Sequence, residues 1–133
     1  MIGLDTNVLV RYLTQDDPTQ SRAASRLIEK ELNGADPGLI LTVVLAETLW
    51  VLADLYGATG KEQIDCVERL IATRQFQLQS HSAVQRAAQA ARHVQCEFVD
   101  CLIAEIGRDE RCAHVVTFDK KAAKYPGFAL LKV

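Results

Sequence analysis

Four carboxylates in this chain stand where a carboxylate is either costly or pointed at something. Asp5 interrupts the apolar opening "MIGLDTNVLV", and Asp119 follows "HVVTF". Glu47 lies inside "TVVLAETLWVLA", and Asp100 follows "CEFV". In open parallel sheets, ligands bind beyond the carboxyl ends of the strands, which is where Asp5 and Asp119 are expected. On a helix, Glu47 has Val43, Val44, Trp50 and Val51 as near neighbours, and a bare carboxylate on such a face carries a desolvation cost unless something pairs with it. Asp100 opens a helix, whose first turn favours negative charge. Gathered together, four such groups repel, so some must stay protonated or bind a cation. Hard divalent ions prefer oxygen, and Mg²⁺ typically takes one or two carboxylates with waters and phosphate oxygens. An ion held this way can generate hydroxide and steady the leaving oxygen of a phosphodiester. A carboxylate set with no His or Cys therefore points to phosphate chemistry.

Taken singly, each acid has a plainer role. Asp5 would cap a helix starting at Thr6, and Asp100 would cap its own helix. Asp119 would sit in a strand-to-helix turn. Glu47 would need a buried Arg or Lys, which its own helix does not supply. Four plain roles need four causes, and one shared site needs one. The other acids, Glu29, Glu31, Glu62, Asp65, Glu68, Asp109 and Glu110, fall on polar helix faces or in turns. Glu105 joins them as a solvated acid, with Arg108 at i+3.

Short apolar runs alternate with helical stripes and would hold these acids. Strands are expected at 1–4, 39–41, 76–78, 114–118 and 128–131. Helices are expected from Thr6, from Asp17-Pro18 (N-cap, then proline at the first helical position) to Asn33-Gly34, from about Val43 to Tyr56 with Thr42 as cap, and around Ile64–Ile71, Val84–Val94 and Val99–Ile106. The helix at 43–56 is apolar on nearly every side and is expected to be buried. The pattern implies one α/β domain over 1–133, with a mainly parallel central sheet of about five short strands flanked by helices.

Composition agrees with this reading. The chain has 133 residues, 49% of them hydrophobic, which suits one domain with one core. No apolar run reaches membrane-spanning length, and no basic stretch precedes a long apolar one at the N-terminus, so a cytoplasmic location is expected. Cys66, Cys96, Cys101 and Cys112 form no C-x-x-C pair and are expected to be reduced and mostly buried. His81, His93 and His114 form no ligand pattern. Net charge is −2, from 15 basic and 17 acidic residues, so indiscriminate coating of nucleic acid is not indicated. With the four acids set aside, the surface becomes slightly basic, as a polyanionic substrate would tolerate.

"MIGLDTNVLVRYL", "LTVVLAETLWVL", "FVDCLIAEIG" and "VVTFDKKAAKYPGFALL" resemble, in order, the acidic motifs of PIN-domain ribonucleases, most closely the VapC-type toxins of bacterial toxin–antitoxin pairs. The match runs end to end. It places the family's acids at Asp5, Glu47, Asp100 and Asp119, with Thr6, Asn7 and Thr117 as supporting polar residues. Cys101 departs from the small residue more usual at its position. The resemblance implies an endoribonuclease dependent on Mg²⁺ or Mn²⁺, a homodimer, a cognate VapB-type antitoxin, and a structured RNA substrate such as transfer or ribosomal RNA. Arg11, Lys120, Lys121 and Lys124 are candidates to meet RNA phosphates, with solvated surface cations as the plain alternative. Rival readings are an aspartate-based phosphohydrolase, a phosphoacceptor domain, and an inactive PIN-like interaction module. The phosphohydrolase usually needs a second aspartate where Asn7 stands, and the phosphoacceptor leaves Glu47 unexplained.

Overall fold

The apolar runs form strands and the stripes form helices. A computed structural model describes residues 1–94 and 96–133. Its elements run β1 (Ile2–Gly3), α1 (Thr6–Thr14), α2 (Pro18–Arg26), β2 (Gly38–Ile40), α3 (Thr42–Tyr56), α4 (Gly60–Ala72), β3 (Phe76–Leu78), α5 (His81–His93), α6 (Phe98–Asp109), β4 (Val115–Thr117) and β5 (Phe128–Leu130). A π-helical turn at Leu27–Glu31 continues α2, and a 3₁₀ turn at Ala122–Lys124 lies between β4 and β5. All strand pairings in the described residues are parallel, so the α/β reading holds. The ladders divide the five strands into a three-stranded sheet, β1-β2-β3, and a two-stranded sheet, β4-β5.

The chain forms two compact units. The first comprises Met1–Thr59 and Arg69–Gln79, and the second Gly60–Glu68 and Ser80–Val133. In the first, Ile2 pairs with Gly38 and Gly38 with Phe76. Gly38 is required by close approach, since a Cβ there would lie 2.8 Å from both Leu4 Cδ1 and Leu32 Cδ1. The core of this unit is built from Leu9, Ile28, Ile40, Leu45 and Leu49. Asp17 caps α2 as its Asp-Pro start implies, accepting from Gln20 N at 3.0 Å. The helical run stops at Glu31, just short of Asn33, whose side chain instead closes a turn by accepting from Ala35 N and Asp36 N.

In the second unit α5 packs on α6. Ala83, Ala87, Ala88 and Ala91 form its buried face, where small side chains let the helices come close. Arg92 bridges to Asp65 and Glu68 and ties α5 to residues 60–68. Val115 pairs with Phe128 and Thr117 with Leu130.

Three expectations need correction. Helix α3 is not buried all round: Val44, Leu45, Thr48 and Leu49 are, whereas Val43, Trp50 (64% exposed) and Leu55 face outward. Hydrophobicity summed along a helix cannot report which face is covered. Thr42 is not the cap of α3 but its first residue, donating its backbone N–H to Gln79 Oε1 at 2.9 Å. Among the described residues the cysteines form no disulfide, but only Cys96 and Cys101 are buried, Cys66 is half-buried and Cys112 is exposed.

Candidate functional site

In the first unit, Asp5 follows β1 and N-caps α1. Its Oδ1 accepts from Thr6 N at 2.8 Å. The plain capping role is thus real, and it also fixes the carboxylate. Thr6 is buried (7% exposed), and its hydroxyl donates to Glu47 Oε1. One residue therefore holds both acids, Asp5 through its backbone N–H and Glu47 through its side chain. Glu47 itself is exposed, beside the outward Val43 and Trp50, so the expected burial of its carboxylate does not occur. That reading assumed that all of α3 was covered. Asn7 and Arg11 line a 330 Å³ groove with Val8, Gln20, Ala23, Ala24 and Leu27. Arg11 is engaged by Gln20 Oε1 at 2.8 Å and by Asp16 Oδ1 at 3.1 Å.

In the second unit, Asp100 lies in the first turn of α6, half-buried, and Glu97 precedes that helix as its N-cap residue. Burial pushes the Asp100 carboxyl above its ordinary range, the charges of Glu97 and Asp119 push it further, and Lys121 opposes them. Asp119 opens the turn after β4. Its Oδ1 accepts from Lys121 N at 2.8 Å and Ala122 N at 3.2 Å, and its own N–H donates to Thr117 Oγ1 at 3.0 Å. Thr117 thus supports Asp119 through the backbone. Lys120, Lys121 and Lys124 are exposed around this turn.

The PIN domain family matches residues 2–127. The chain belongs to that family. No curated protein matches it. PIN domains are typically metal-dependent nucleases, so membership supports a nuclease-type hydrolase. Among the described residues no helix is long and apolar enough to cross a membrane.

The four candidate acids fall into two pairs, Asp5 with Glu47 and Asp100 with Asp119, each arranged within its own unit. Among the described residues, no three or more His, Cys, Asp or Glu side chains are gathered closely enough to hold a metal. The donor chemistry nonetheless suits a hard divalent ion. The candidate groups are carboxylates, and Asp100 bears a charge penalty from Glu97 and Asp119 that a cation would relieve. Two acidic neighbours escaped the sequence reading. Glu97 adds to the negative field at Asp100, and its only sequence signal was an acid three residues upstream. Glu105, expected in solvent, is 5% exposed and hydrogen-bonded to Arg86 and Tyr125. The i+3 partner Arg108 suggested a surface pair, but its nitrogen stands 3.6 Å away as a lesser contact.

Proposed function

We propose that this PIN-domain protein is a metal-dependent endoribonuclease of the VapC toxin type, cutting structured cytoplasmic RNA such as transfer or ribosomal RNA and held in check by a cognate VapB-type antitoxin. The observation that carries the reading is the match to the PIN domain family over residues 2–127, and the hydrogen bonds that hold Asp5, Glu47 and Asp119 support it. The candidate ligands of Mg²⁺ or Mn²⁺ are Asp5 and Glu47 in the first unit and Asp100 and Asp119 in the second, and the ion when bound would supply an activated water and charge stabilisation at a phosphodiester. Thr6 orients Asp5 and Glu47, and Thr117 with the Lys121 and Ala122 amides orients Asp119. Lys120, Lys121 and Lys124, exposed around the Asp119 turn, would meet phosphates, whereas Arg11 would first have to exchange Asp16 and Gln20 for RNA. Homodimerisation belongs to the same proposal.

The test is cleavage of total and transfer RNA by purified protein, with Mg²⁺ or Mn²⁺ and with a chelator. Wild type is expected to make discrete cuts only with metal, and Asp5→Asn to make none while keeping its circular dichroism spectrum. Full activity in Asp5→Asn removes the assignment. Induction of both forms in cells, with RNA ends mapped afterwards, is expected to show growth arrest and cuts from wild type alone.

A further inference from the structure

Glu105 is a buried charge that the proposed reaction does not use. It sits on α6, the helix that carries Asp100, five residues further on and so about 7.5 Å along the axis. Its Oε1 accepts from Arg86 Nε at 2.8 Å, and its Oε2 accepts from the Tyr125 hydroxyl at 2.7 Å. Arg86 comes from α5 and is anchored a second time on Asp109 Oδ1 at 2.7 Å. Burial would raise the Glu105 carboxyl, but the Arg86 and Tyr125 hydrogen bonds outweigh it and hold it below the usual range. Burial and the facing carboxylate hold the Tyr125 phenol well above its ordinary value, so it remains a donor.

Tyr125 ends the turn that Asp119 begins. Asp119 O accepts from Ala123 N at 2.9 Å, and Ala122 O accepts from Tyr125 N at 2.9 Å. The segment then lies close on α6. At Gly127, whose φ is +105°, a Cβ would stand 3.4 Å from Ala104 Cβ. The turn is therefore seated on α6 at two neighbouring places, by a small-residue contact at Ala104 and by a hydrogen bond at Glu105.

We propose that the chain Arg86–Glu105–Tyr125 is a strut that sets the spacing between Asp100 and Asp119, with Glu105 and Tyr125 as positioning residues for metal binding. The metal part of this inference rests on the nuclease reading. The strut itself rests on the hydrogen bonds alone. A hydroxyl is the smallest part that can be removed, because Tyr125→Phe keeps the ring in its buried seat.

The experiment compares wild type, Tyr125→Phe and Glu105→Gln. Glu105→Gln still presents an oxygen to Tyr125 and guards against a variant that fails to fold. Amide exchange is read at Lys121 and Ala122, the donors to Asp119, with α5 amides as the control. Mn²⁺ affinity is read by electron paramagnetic resonance, and RNA cleavage is split into kcat and KM. In Tyr125→Phe, exchange at Lys121 and Ala122 is expected to accelerate about ten-fold with α5 unchanged. Mn²⁺ affinity is expected to fall roughly ten-fold, the usual scale for a group that orients a metal ligand, and kcat to fall with KM kept. Glu105→Gln is expected to retain most of each. Unchanged exchange in Tyr125→Phe overturns the strut. Faster exchange with unchanged Mn²⁺ affinity overturns its role in spacing the acids. If wild type itself binds no Mn²⁺ and cuts no RNA, the nuclease reading and the metal role fail together, and the exchange data alone decide the strut.

Discussion

The two acid pairs are held by different means. Asp5 and Glu47 are fixed by one threonine, and both carboxylates stand at the surface. Asp100 and Asp119 are fixed by a helix turn, a backbone-capped turn and, behind them, the buried Glu105 carboxylate held by a partly exposed arginine and a tyrosine. A single side-chain hydroxyl contributes little stability, so losing it should disturb geometry more than folding. A buried carboxylate is different, because losing its partner leaves an uncompensated charge. The first pair should therefore break functionally and the second structurally.

Arg86→Ala gives the largest expected effect on stability and tests the second half of that contrast. It strips Glu105 of its closest cation while the carboxylate stays buried. A loss of about 3 kcal/mol is expected, the low end for a broken buried pair, because Arg86 is partly exposed and Tyr125 still donates. Urea unfolding measures it. Arg86→Met with Glu105→Gln should recover most of the loss, since no unpaired charge remains. The pH dependence has a definite sign. The Glu105 carboxyl lies below its reference value of 4.5 in the folded wild type, so its contribution is present above that pH and is lost as pH falls through the folded value. The gap between wild type and Arg86→Ala should narrow in acid. A gap that does not depend on pH would mean that packing of the arginine stem, rather than charge pairing, stabilises this helix pair.

Thr6→Val tests the other half, with a smaller effect on stability. Valine keeps the branched shape in a buried position but removes the donor to Glu47. Stability should fall by no more than about 1 kcal/mol, because Glu47 is exposed and water can take the hydroxyl's place. RNA cleavage should fall by about ten-fold, and Thr6→Ser should restore it. Equal percentage losses of stability and activity would erase the distinction between the two pairs.

What was legible in the sequence follows the same division. Local signals read through well. Asp17-Pro18 started a helix, the short apolar runs became parallel strands, and Asp5 and Asp119 fell just past strand ends. These depend on near neighbours in the chain. Contacts set by tertiary packing did not read through. Glu47 was expected to be buried and is exposed, and Glu105 was expected in solvent and is buried. Both errors treated a helix face as known when only its composition was known. The partners of Glu105 lie 19 and 20 residues away, at Arg86 and Tyr125, beyond the reach of any helical periodicity. The family match bears out the PIN-domain resemblance, but it assigns no role to any single residue.

The smallest expected effect concerns Asp100 and sharpens the comparison, because a group kept for function should cost stability. Its folded carboxyl lies above the reference value of 3.8, from burial first and then from Glu97 and Asp119. A group raised in this way contributes stability below its unfolded value and loses that contribution as pH rises through the folded value. At neutral pH the wild type therefore carries a penalty that Asp100→Asn removes. The melting temperature of Asp100→Asn should exceed that of wild type near pH 7. The difference should close as pH falls below the reference value of 3.8, where the aspartate becomes protonated in both folded and unfolded states and resembles asparagine. Adding Mn²⁺ should raise the wild-type value and leave Asp100→Asn nearly unmoved, since an ion that binds only the folded acid site stabilises in proportion to its occupancy. A variant less stable than wild type at every pH would instead make Asp100 a structural residue of the first turn of α6, and would leave the Asp5–Glu47 pair as the better place to look for the chemistry.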